Sequence, residues 1–391
     1  MVATRGRQGD DCEAMREPIR VGLVGAGNIA LGDHVPAYLE LPELFRLVAV
    51  ADPTPERRAL VSDAAGLGDR DVHADTAELL ARDDVDMIDV CTPQHLRRDL
   101  VIAACESGRH VLSEKPIATT PRDASQMIAT ARANGVRYGI VHNYLFRPEI
   151  VRILEIIRAG DIGPVEVAIL NWLSVIDIPG AAAYRPTWRH DPSQAGGGVL
   201  MDMLHIVYLG EALLGRPIER VSAWVDARTE DAPVEEITLS RFETDRNAAL
   251  VNVGWGQGPG GIAVSGPEGR IEVGYEDGAS GAFAPFEQLV VHGRNGRVEE
   301  TDLPPRRSIT NVLADFGAAV REGRDPVATG EQGLHILEAT LAVYLSAALG
   351  RTVGLPIEPG HPVYERGVAG LRELDLPDWS PIRRRRLFGV Q

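Results

Sequence analysis

The strongest constraint on the fold is an apolar run, Ile19–Val24, that leads directly into the glycine motif Gly25-Ala26-Gly27-Asn28-Ile29-Ala30. Further apolar runs then alternate with segments rich in Ala, Leu, Arg and Glu. This alternation predicts a parallel sheet with crossover helices, an α/β doubly wound unit. The predicted strands are 19–24, 47–51, 87–90, 110–112 and 136–141.

The second half of the chain has a different pattern, in which strand-like runs follow one another without long helical segments between them. This order favours a largely antiparallel sheet in an α+β domain with one open face. The predicted strands are 165–172, 218–226, 234–242, 248–255, 262–265, 270–273 and 288–292, with turns at 267–269 and 295–296 and closing helices at 310–322 and 331–349. With 391 residues, we expect a disordered tail (1–17), a doubly wound domain (18–142), an α+β domain (143–360) and a C-terminal extension (361–391).

Charge and apolar patterning disfavour two classes of partner. The chain has 56 acidic and 40 basic residues, a net charge of −16, so it should repel phosphate backbones and anionic lipid. The four arginines 383–386 are interpreted as a solvated tail or an inter-subunit contact. No apolar stretch approaches the roughly 20 residues that span a bilayer. We therefore expect neither nucleic acid nor membrane as a partner.

The cysteines indicate neither a disulfide framework nor a metal site. Cys12, Cys91 and Cys105 are odd in number and irregularly spaced, without a C-x-x-C pair. Residues 1–17 mix charges and lack the apolar centre of a secretory signal. These features predict reduced thiols, no metal and a cytoplasmic location.

The glycine motif has the G-x-G-x-x-A form, in which glycines let the backbone approach a pyrophosphate at a helix N-terminus. Asp52 follows the second predicted strand, 25 residues after Gly27, where a carboxylate can bind the adenosine ribose. Because a carboxylate would repel a 2′-phosphate, NAD is favoured over NADP. The alternative is a glycine turn in a fold that binds another ligand.

Two motifs follow the fourth and fifth strands, at the sheet edge where doubly wound folds bind ligands. They are Thr92-Pro93-Gln94-His95 and Glu114-Lys115-Pro116. Lys115 is the single lysine among the 40 basic residues. An isolated lysine is usually a solvated surface residue. Here the exclusive use of arginine elsewhere suggests that this position needs an amine, which can shift its pKa and donate from a compact centre.

A third motif is Gly196-Gly197-Gly198-Val199-Leu200-Met201-Asp202-Met203-Leu204-His205. Three glycines before an apolar stretch predict a close backbone approach leading into a helix. At spacing i, i+3, Asp202 and His205 would lie on one helical face, where the carboxylate could orient the imidazole as a proton acceptor. The alternative is a buried histidine satisfied by a neighbour on its helix.

As a set, these motifs resemble the glucose-fructose oxidoreductase/inositol dehydrogenase/rhizopine catabolism family, known as Gfo/Idh/MocA. The resemblance covers residues 19–356 and includes NYLFRP at 143–148, GDIGPV at 160–165 and WR at 188–189. It implies a Rossmann domain, an α+β domain whose open sheet forms a homodimer or homotetramer interface, and NAD(P)-dependent oxidation or reduction of a sugar, cyclitol or related polyol.

The resemblance also implies residue roles. Lys115, Asp202 and His205 match the catalytic positions. The expected cofactor-binding residues are Gly25, Gly27, Asn28, Ile29, Asp52, Thr92, Gln94, His95, Glu114, Lys115, Asn143, Trp188 and Arg189. Two departures stand out: many members place the histidine four residues after the aspartate rather than three, and Arg97 replaces a histidine that members often carry.

Substrate binding is assigned to Lys115, Asp202 and His205 together with four further residues whose rings and polar groups suit a polyol. These are Tyr144, Arg147, Tyr184 and His190, the last two lying in the segment 177–191. This segment is rich in Pro and Ala, and the competing interpretation is a plain connecting loop.

The predicted reaction is hydride transfer with His205 as proton acceptor, oriented by Asp202, and Lys115 stabilising the oxyanion. Two alternatives stay open: a glycosidase that uses NAD transiently for oxidation and elimination, and a non-catalytic NAD-dependent sensor.

Overall fold

The first of two sheets is entirely parallel, as the alternating pattern predicts. The computed structural model describes residues 17–176 and 187–391. The sheet has the order β3-β2-β1-β4-β5-β6. Its central strands are buried on both faces because helices cover each side. The strands are β1 (Ile19–Val24), β2 (Phe45–Ala51), β3 (Val72–His73), β4 (Met87–Val90), β5 (His110–Ser113) and β6 (Tyr138–Ile140).

The crossover helices of this sheet begin at residues suited to a helix start. Thr120 accepts a hydrogen bond from the Asp123 amide at the start of one helix, and proline opens two of them. A π-helical turn, Ala30–His34, precedes the first helix. The helices are α1 (Val35–Leu39), α2 (Pro55–Ala65), α3 (Thr76–Leu80), α4 (Gln94–Glu106) and α5 (Pro121–Ala133).

The second sheet is mixed but mostly antiparallel, in the order β14-β13-β12-β11-β7-β10-β9-β8-β15, with one parallel pair, β7 and β10. Its strands are β7 (Val167–Val175), β8 (Arg220–Asp226), β9 (Ile237–Glu243), β10 (Ala248–Trp255), β11 (Gly260–Gly266), β12 (Gly269–Tyr275), β13 (Phe286–Gly293), β14 (Gly296–Glu300) and β15 (Val353–Gly354).

Helices cover one face of this sheet. Its other face exposes apolar side chains such as Trp224 on β8, Leu239 on β9 and Leu250 on β10. The helices from residue 148 onward are α6 (Pro148–Ala159), α7 (Pro192–Ala195), α8 (Val199–Asp202), α9 (His205–Leu214), α10 (Ser308–Glu322), α11 (Gly330–Leu349), α12 (Pro362–Arg366) and α13 (Pro381–Arg384). The predicted fold class is therefore confirmed. The domain limits stay a prediction.

Local sequence patterns missed the shortest strands and the long-range packing. The predictions omitted β3 and β15, whose two residues each are too short to show a period of two, and the exposed β14. Helix α10 lies late in the chain but packs on the first sheet, where Phe316 contacts Gly139 of β6. This return closes the cavity described below from the side of the first domain.

The C-terminal segment packs against the second domain rather than forming the solvated tail we expected as one alternative. Leu387 and Phe388 are fully buried, and the Phe388 ring meets the edge of the Tyr344 ring at 5.0 Å. Arg385 forms an ion pair with Asp226 of β8 at 2.9 Å. Part of the arginine run therefore anchors this segment to the sheet edge.

No single helix of the described chain is long and apolar enough to cross a bilayer. Taken together, 192–202 and 205–214 pass this test of length and composition, but they are bent by 46°. Nearly all of α9 is buried inside the fold.

Candidate active site

The glycine motif forms a tight loop between β1 and the turn that precedes α1. Gly25 has φ +94°, and a Cβ at this position would lie 3.0 Å from the backbone carbonyl of Cys91. Gly27 has no protein atom near its missing side chain, so its backbone is open to the cavity. A positive φ followed by an unobstructed backbone is what a pyrophosphate-binding turn requires.

Asp52 lies beside this loop at the end of β2. Its two carboxylate oxygens accept the backbone N–H groups of Ala26 and Thr54, each at 2.8 Å. The carboxylate therefore shapes the glycine loop, a role that the motif alone did not reveal. Each oxygen retains a lone pair for a ribose hydroxyl. The expected ribose contact remains a prediction.

A cavity of about 1240 Å³ extends from the glycine loop to the second domain. It collects all of the predicted site residues in the described chain except His190, whose ring instead stacks on Trp255 at 5.1 Å. Tyr184 lies outside the described residues. The lining contains Gly25, Gly27, Asn28, Ile29, Asp52, Thr92, Gln94, His95, Glu114, Lys115, Asn143, Tyr144, Arg147, Trp188, Arg189, Asp202 and His205.

Two buried polar atoms of this lining fit a bound dinucleotide. Within the described residues, neither the Thr92 hydroxyl nor the Asn143 carbonyl oxygen has a hydrogen-bond partner. Buried polar atoms are normally satisfied, and both residues are among the predicted cofactor positions. Together with the open glycine loop, they make the cavity suitable for NAD.

Lys115 follows β5 and is half-buried. Its Nζ donates to the backbone carbonyl of Asp202 at 2.7 Å, linking the first domain to the second. Burial lowers the pKa of Lys115 from its ordinary value of 10.5, while the nearby carboxylates of Asp202 and Glu114 oppose this shift. A partly desolvated ammonium is suited to stabilising negative charge on a substrate oxygen.

The predicted pairing of Asp202 with His205 on one helix face is wrong. Helix α8 ends at Asp202 and α9 begins at His205, because the backbone leaves helical geometry at Met203. The Asp202 carboxylate forms an ion pair with Arg189. The Nδ1 of His205 lies 2.7 Å from the Tyr208 hydroxyl, which also accepts the Tyr144 backbone N–H at 3.0 Å.

His205 is held as a neutral imidazole. It is 6% exposed, and its ring stacks on Tyr144 with centroids 4.0 Å apart. Burial lowers the pKa of His205 well below 6.5, and the charges of Lys115 and Arg147 lower it further. A neutral imidazole at physiological pH can accept a proton.

Arg147 is more enclosed than a substrate-binding role suggests. It is 2% exposed, pairs with Glu149 at 2.7 Å and lies over the Tyr144 ring at 4.6 Å from the centroid. The guanidinium thus supports the stack of Tyr144 on His205. Its predicted contact with substrate, like those of Tyr144 and His190, remains a prediction.

Sequence analysis missed two residues that shape the backbone around the site. Arg97, to which no role was assigned, is buried and donates to the carbonyls of Thr92, Glu114 and Pro116. Glu235 accepts the N–H groups of Gly198 at 2.7 Å and Leu200 at 2.9 Å. The position of Arg97 beside the TPQH motif was a usable signal. Glu235 had none, because it lies in a different segment from the glycines it contacts.

Two protein-family models match the chain. The "Oxidoreductase family, NAD-binding Rossmann fold" model matches residues 19–142, and the "GFO/IDH/MocA C-terminal domain" model matches residues 150–281. Together they cover more than half of the chain.

Similar proteins include a 1,5-anhydro-D-fructose reductase of Ensifer adhaerens, 29% identical over 85% of this chain and 97% of the relative. A D-apiose dehydrogenase of Paraburkholderia graminis is 26% identical over 85% of this chain and 88% of its own length. The structure of an aldose-aldose oxidoreductase from Caulobacter crescentus complexed with glycerol is 25% identical, with a TM-score of 0.77 over 87% of this chain and 100% of the other. The chain therefore belongs to the GFO/IDH/MocA family of NAD-binding oxidoreductases.

Proposed function

We propose that the protein is an NAD-dependent dehydrogenase or reductase acting on a hydroxyl or ketone carbon of a sugar, cyclitol or related polyol. The observation that carries this proposal is the placement of Lys115 and the neutral His205 in one cavity with the open glycine loop. The names of the similar proteins, an anhydrofructose reductase and an apiose dehydrogenase, support a sugar-like substrate.

In the oxidative direction, His205 accepts the hydroxyl proton at Nε2. This role requires the tautomer in which Nδ1–H donates to the Tyr208 oxygen, 2.7 Å away, and Nε2 is free. Lys115 donates to the developing oxyanion, and bound NAD serves as the hydride acceptor. In the reverse direction the same groups protonate and polarise a ketone.

Asp202 contacts Lys115 and Arg189 rather than His205. Its backbone carbonyl holds the Lys115 ammonium, and its carboxylate holds Arg189 at the cavity wall. We propose that Asp202 sets the position of the ammonium relative to the nicotinamide. This assignment replaces the expected carboxylate–imidazole pair.

The test is a panel of D-apiose, 1,5-anhydro-D-fructose, levoglucosan, D-glucose, myo-inositol and methyl glucosides with each nicotinamide cofactor, followed at 340 nm. Net formation or consumption of NADH with one of these compounds supports a dehydrogenase. Release of methanol from a glycoside without net NADH identifies the transient-oxidation glycosidase. Saturable NAD binding without turnover of any member identifies a sensor.

We further propose that NAD is preferred over NADP. The Asp52 carboxylate, 7% exposed at the end of β2, would repel a 2′-phosphate. Arg57 also lines this end of the cavity. If the protein instead prefers NADP, Arg57 is the residue expected to bind the 2′-phosphate. The ratio of kcat/KM for the two cofactors tests the choice, and Asp52→Ser should shift that ratio towards NADP.

The open face of the second sheet is proposed to bind a second copy of the chain. Trp224 lies opposite Leu239 on neighbouring strands, and Leu250 is exposed on the next strand. Contiguous exposed apolar side chains of this kind are typical of an interface. Light scattering should give a dimeric or tetrameric mass that Leu239→Arg reduces. A wild-type chain that is monomeric at micromolar concentration contradicts the proposal.

A further inference from the structure

Beneath the proposed catalytic lysine, the imidazole of His34 is fully buried between two carboxylates. Its Nδ1 lies 2.7 Å from Asp89 Oδ2, and its Nε2 lies 3.1 Å from Glu114 Oε1. The Tyr38 hydroxyl also donates to Asp89 Oδ2, at 2.9 Å. These groups lie within the first domain, between α1 and the ends of β4 and β5.

Geometry indicates which atoms carry protons. A carboxylate only accepts hydrogen bonds, so both ring nitrogens of His34 must donate when Asp89 and Glu114 are ionised. Burial alone would lower the pKa of His34, but the Asp89 carboxylate raises it well above 6.5. The His34 hydrogen bond likewise lowers the pKa of Glu114 against the effect of burial. With both carboxylates ionised, the hydrogen-bond geometry places an imidazolium between them.

The second carboxylate oxygen of Glu114 connects His34 with the backbone of Lys115. Glu114 Oε2 accepts the backbone N–H of Lys115 at 3.1 Å. From the opposite side, Arg97 holds the carbonyl of Glu114 at 2.6 Å and that of Pro116. The backbone on both sides of Lys115 is thus fixed by buried charged side chains.

His34 also lies on the element that follows the glycine loop. It is the last residue of the π-helical turn Ala30–His34, and the wider turn places its ring inward. π-Helical turns occur frequently at functional sites. His34 therefore connects the dinucleotide-binding segment with the loop that carries Lys115.

We propose that His34 is a positioning residue: as a buried imidazolium it holds Glu114, and Glu114 fixes the backbone and the electrostatic surroundings of Lys115. This inference rests on the proposed function, because the catalytic part of Lys115 comes from there. His34 does not line the cavity and does not touch substrate. Buried ionic groups are seldom the most stabilising way to fill a core, so a specifying role accounts for this arrangement.

The unique lysine permits a direct test in the full-length protein. Selective labelling with ¹⁵N-lysine gives one backbone amide signal, that of Lys115, which donates to Glu114. In His34→Gln and in Glu114→Gln we expect this signal to shift and its hydrogen exchange to accelerate by about tenfold or more. His110→Gln is the matched control, since His110 lies at the other end of the same strand and contacts Arg137 instead. An unchanged Lys115 signal in both test variants overturns the proposal.

A kinetic cycle on the best substrate of the panel separates positioning from general loss of structure. We expect His34→Gln to lower kcat about tenfold with the KM for NAD nearly unchanged, and to have less than a twofold further effect in a Lys115→Ala background. An equal loss in both backgrounds contradicts action through Lys115. If His34→Gln does not fold, Glu114→Gln takes its place in the cycle, with kcat alone as the readout because Glu114 lines the cavity. Normal turnover of Lys115→Ala instead refutes the proposed function, while the amide signal still decides the role of His34.

Discussion

The two proposed catalytic residues face one cavity but are held in opposite electrostatic surroundings. Lys115 follows a strand of the first sheet, above the buried charges of Glu114 and Arg97. His205 begins a helix of the second domain, against the neutral rings of Tyr144 and Tyr208. Charged neighbours fix the ammonium through its backbone, whereas burial among aromatic rings, together with the charges of Lys115 and Arg147, lowers the pKa of the imidazole. The difference shows how one site can hold a cation beside a proton acceptor.

Substitution of Lys115 or His205 should cause the largest loss of kcat and tests whether both side chains take part in the reaction. Lys115→Ala should lower kcat by about 10² to 10³, because an oxyanion donor is lost. His205→Asn should lower it by about 10² to 10⁴, the usual contribution of a general base. Steady-state kinetics at 340 nm measures both. NAD binding by His205→Asn, followed by quenching of protein fluorescence, should change less than threefold and serves as the control for folding. Near-normal kcat in either variant removes that residue from the mechanism.

Gly27 in the first domain and Gly198 in the second should respond differently to substitution by alanine. A Cβ on Gly27 meets no protein atom, so Gly27→Ala should leave Tm nearly unchanged but weaken NAD binding at least tenfold. A Cβ on Gly198 would overlap the backbone carbonyl of Glu235, and Gly198→Ala should cost about 1–3 kcal/mol of stability. Calorimetry and NAD titration on both variants check this. Equal Tm losses would show that Gly27 also packs against protein.

Tyr208→Phe should weaken the contacts that hold His205 without affecting those that hold Lys115. It removes the hydroxyl that contacts His205 Nδ1 and accepts the Tyr144 amide. A lost hydrogen bond worth about 1 kcal/mol lowers kcat about fivefold. Tyr275→Phe is a matched control, since Tyr275 is similarly buried and its hydroxyl makes no hydrogen bond to His205 or Tyr144. We expect the KM for NAD to stay constant in both.

Sequence patterns predicted the charged region of the site better than the neutral region. The glycine loop, Asp52 and Lys115 each follow a parallel strand, and strand order places their ends at one edge. This part of the geometry is local and follows from the position of each motif. Five of the six strands of the first sheet and most strands of the second sheet could be predicted for the same reason.

The contacts in the second domain could be predicted only in part. The contact of His205 with Tyr208 on the same helix agrees with the alternative of a buried histidine satisfied by a helix neighbour, whereas the helix break depends on Glu235 from a distant segment. The spacing predicted that Asp202 and His205 lie on one helix, but the helix is interrupted at Met203. Glu235, from another segment, holds the glycine loop that precedes this helix. The pairing of Asp202 with Arg189 and that of His205 with Tyr208 follow from this break. A histidine three residues after the aspartate, rather than four, was a signal that their geometry differs.

The dependence of activity on pH should distinguish His205 from Lys115. Near neutral pH this effect should be smaller than the effects of the substitutions above. In oxidation, His205 must be neutral, and since its pKa is well below 6.5, kcat/KM should stay nearly constant as pH falls from 8 to 6. Lys115 must be protonated, so kcat/KM should decline as pH rises through a pKa below 10.5. Lys115→Arg should be slower but should lack this alkaline decline, because guanidinium stays protonated. If the alkaline decline persists in Lys115→Arg, the ionisation belongs to another group, and protonation of Lys115 does not control the rate.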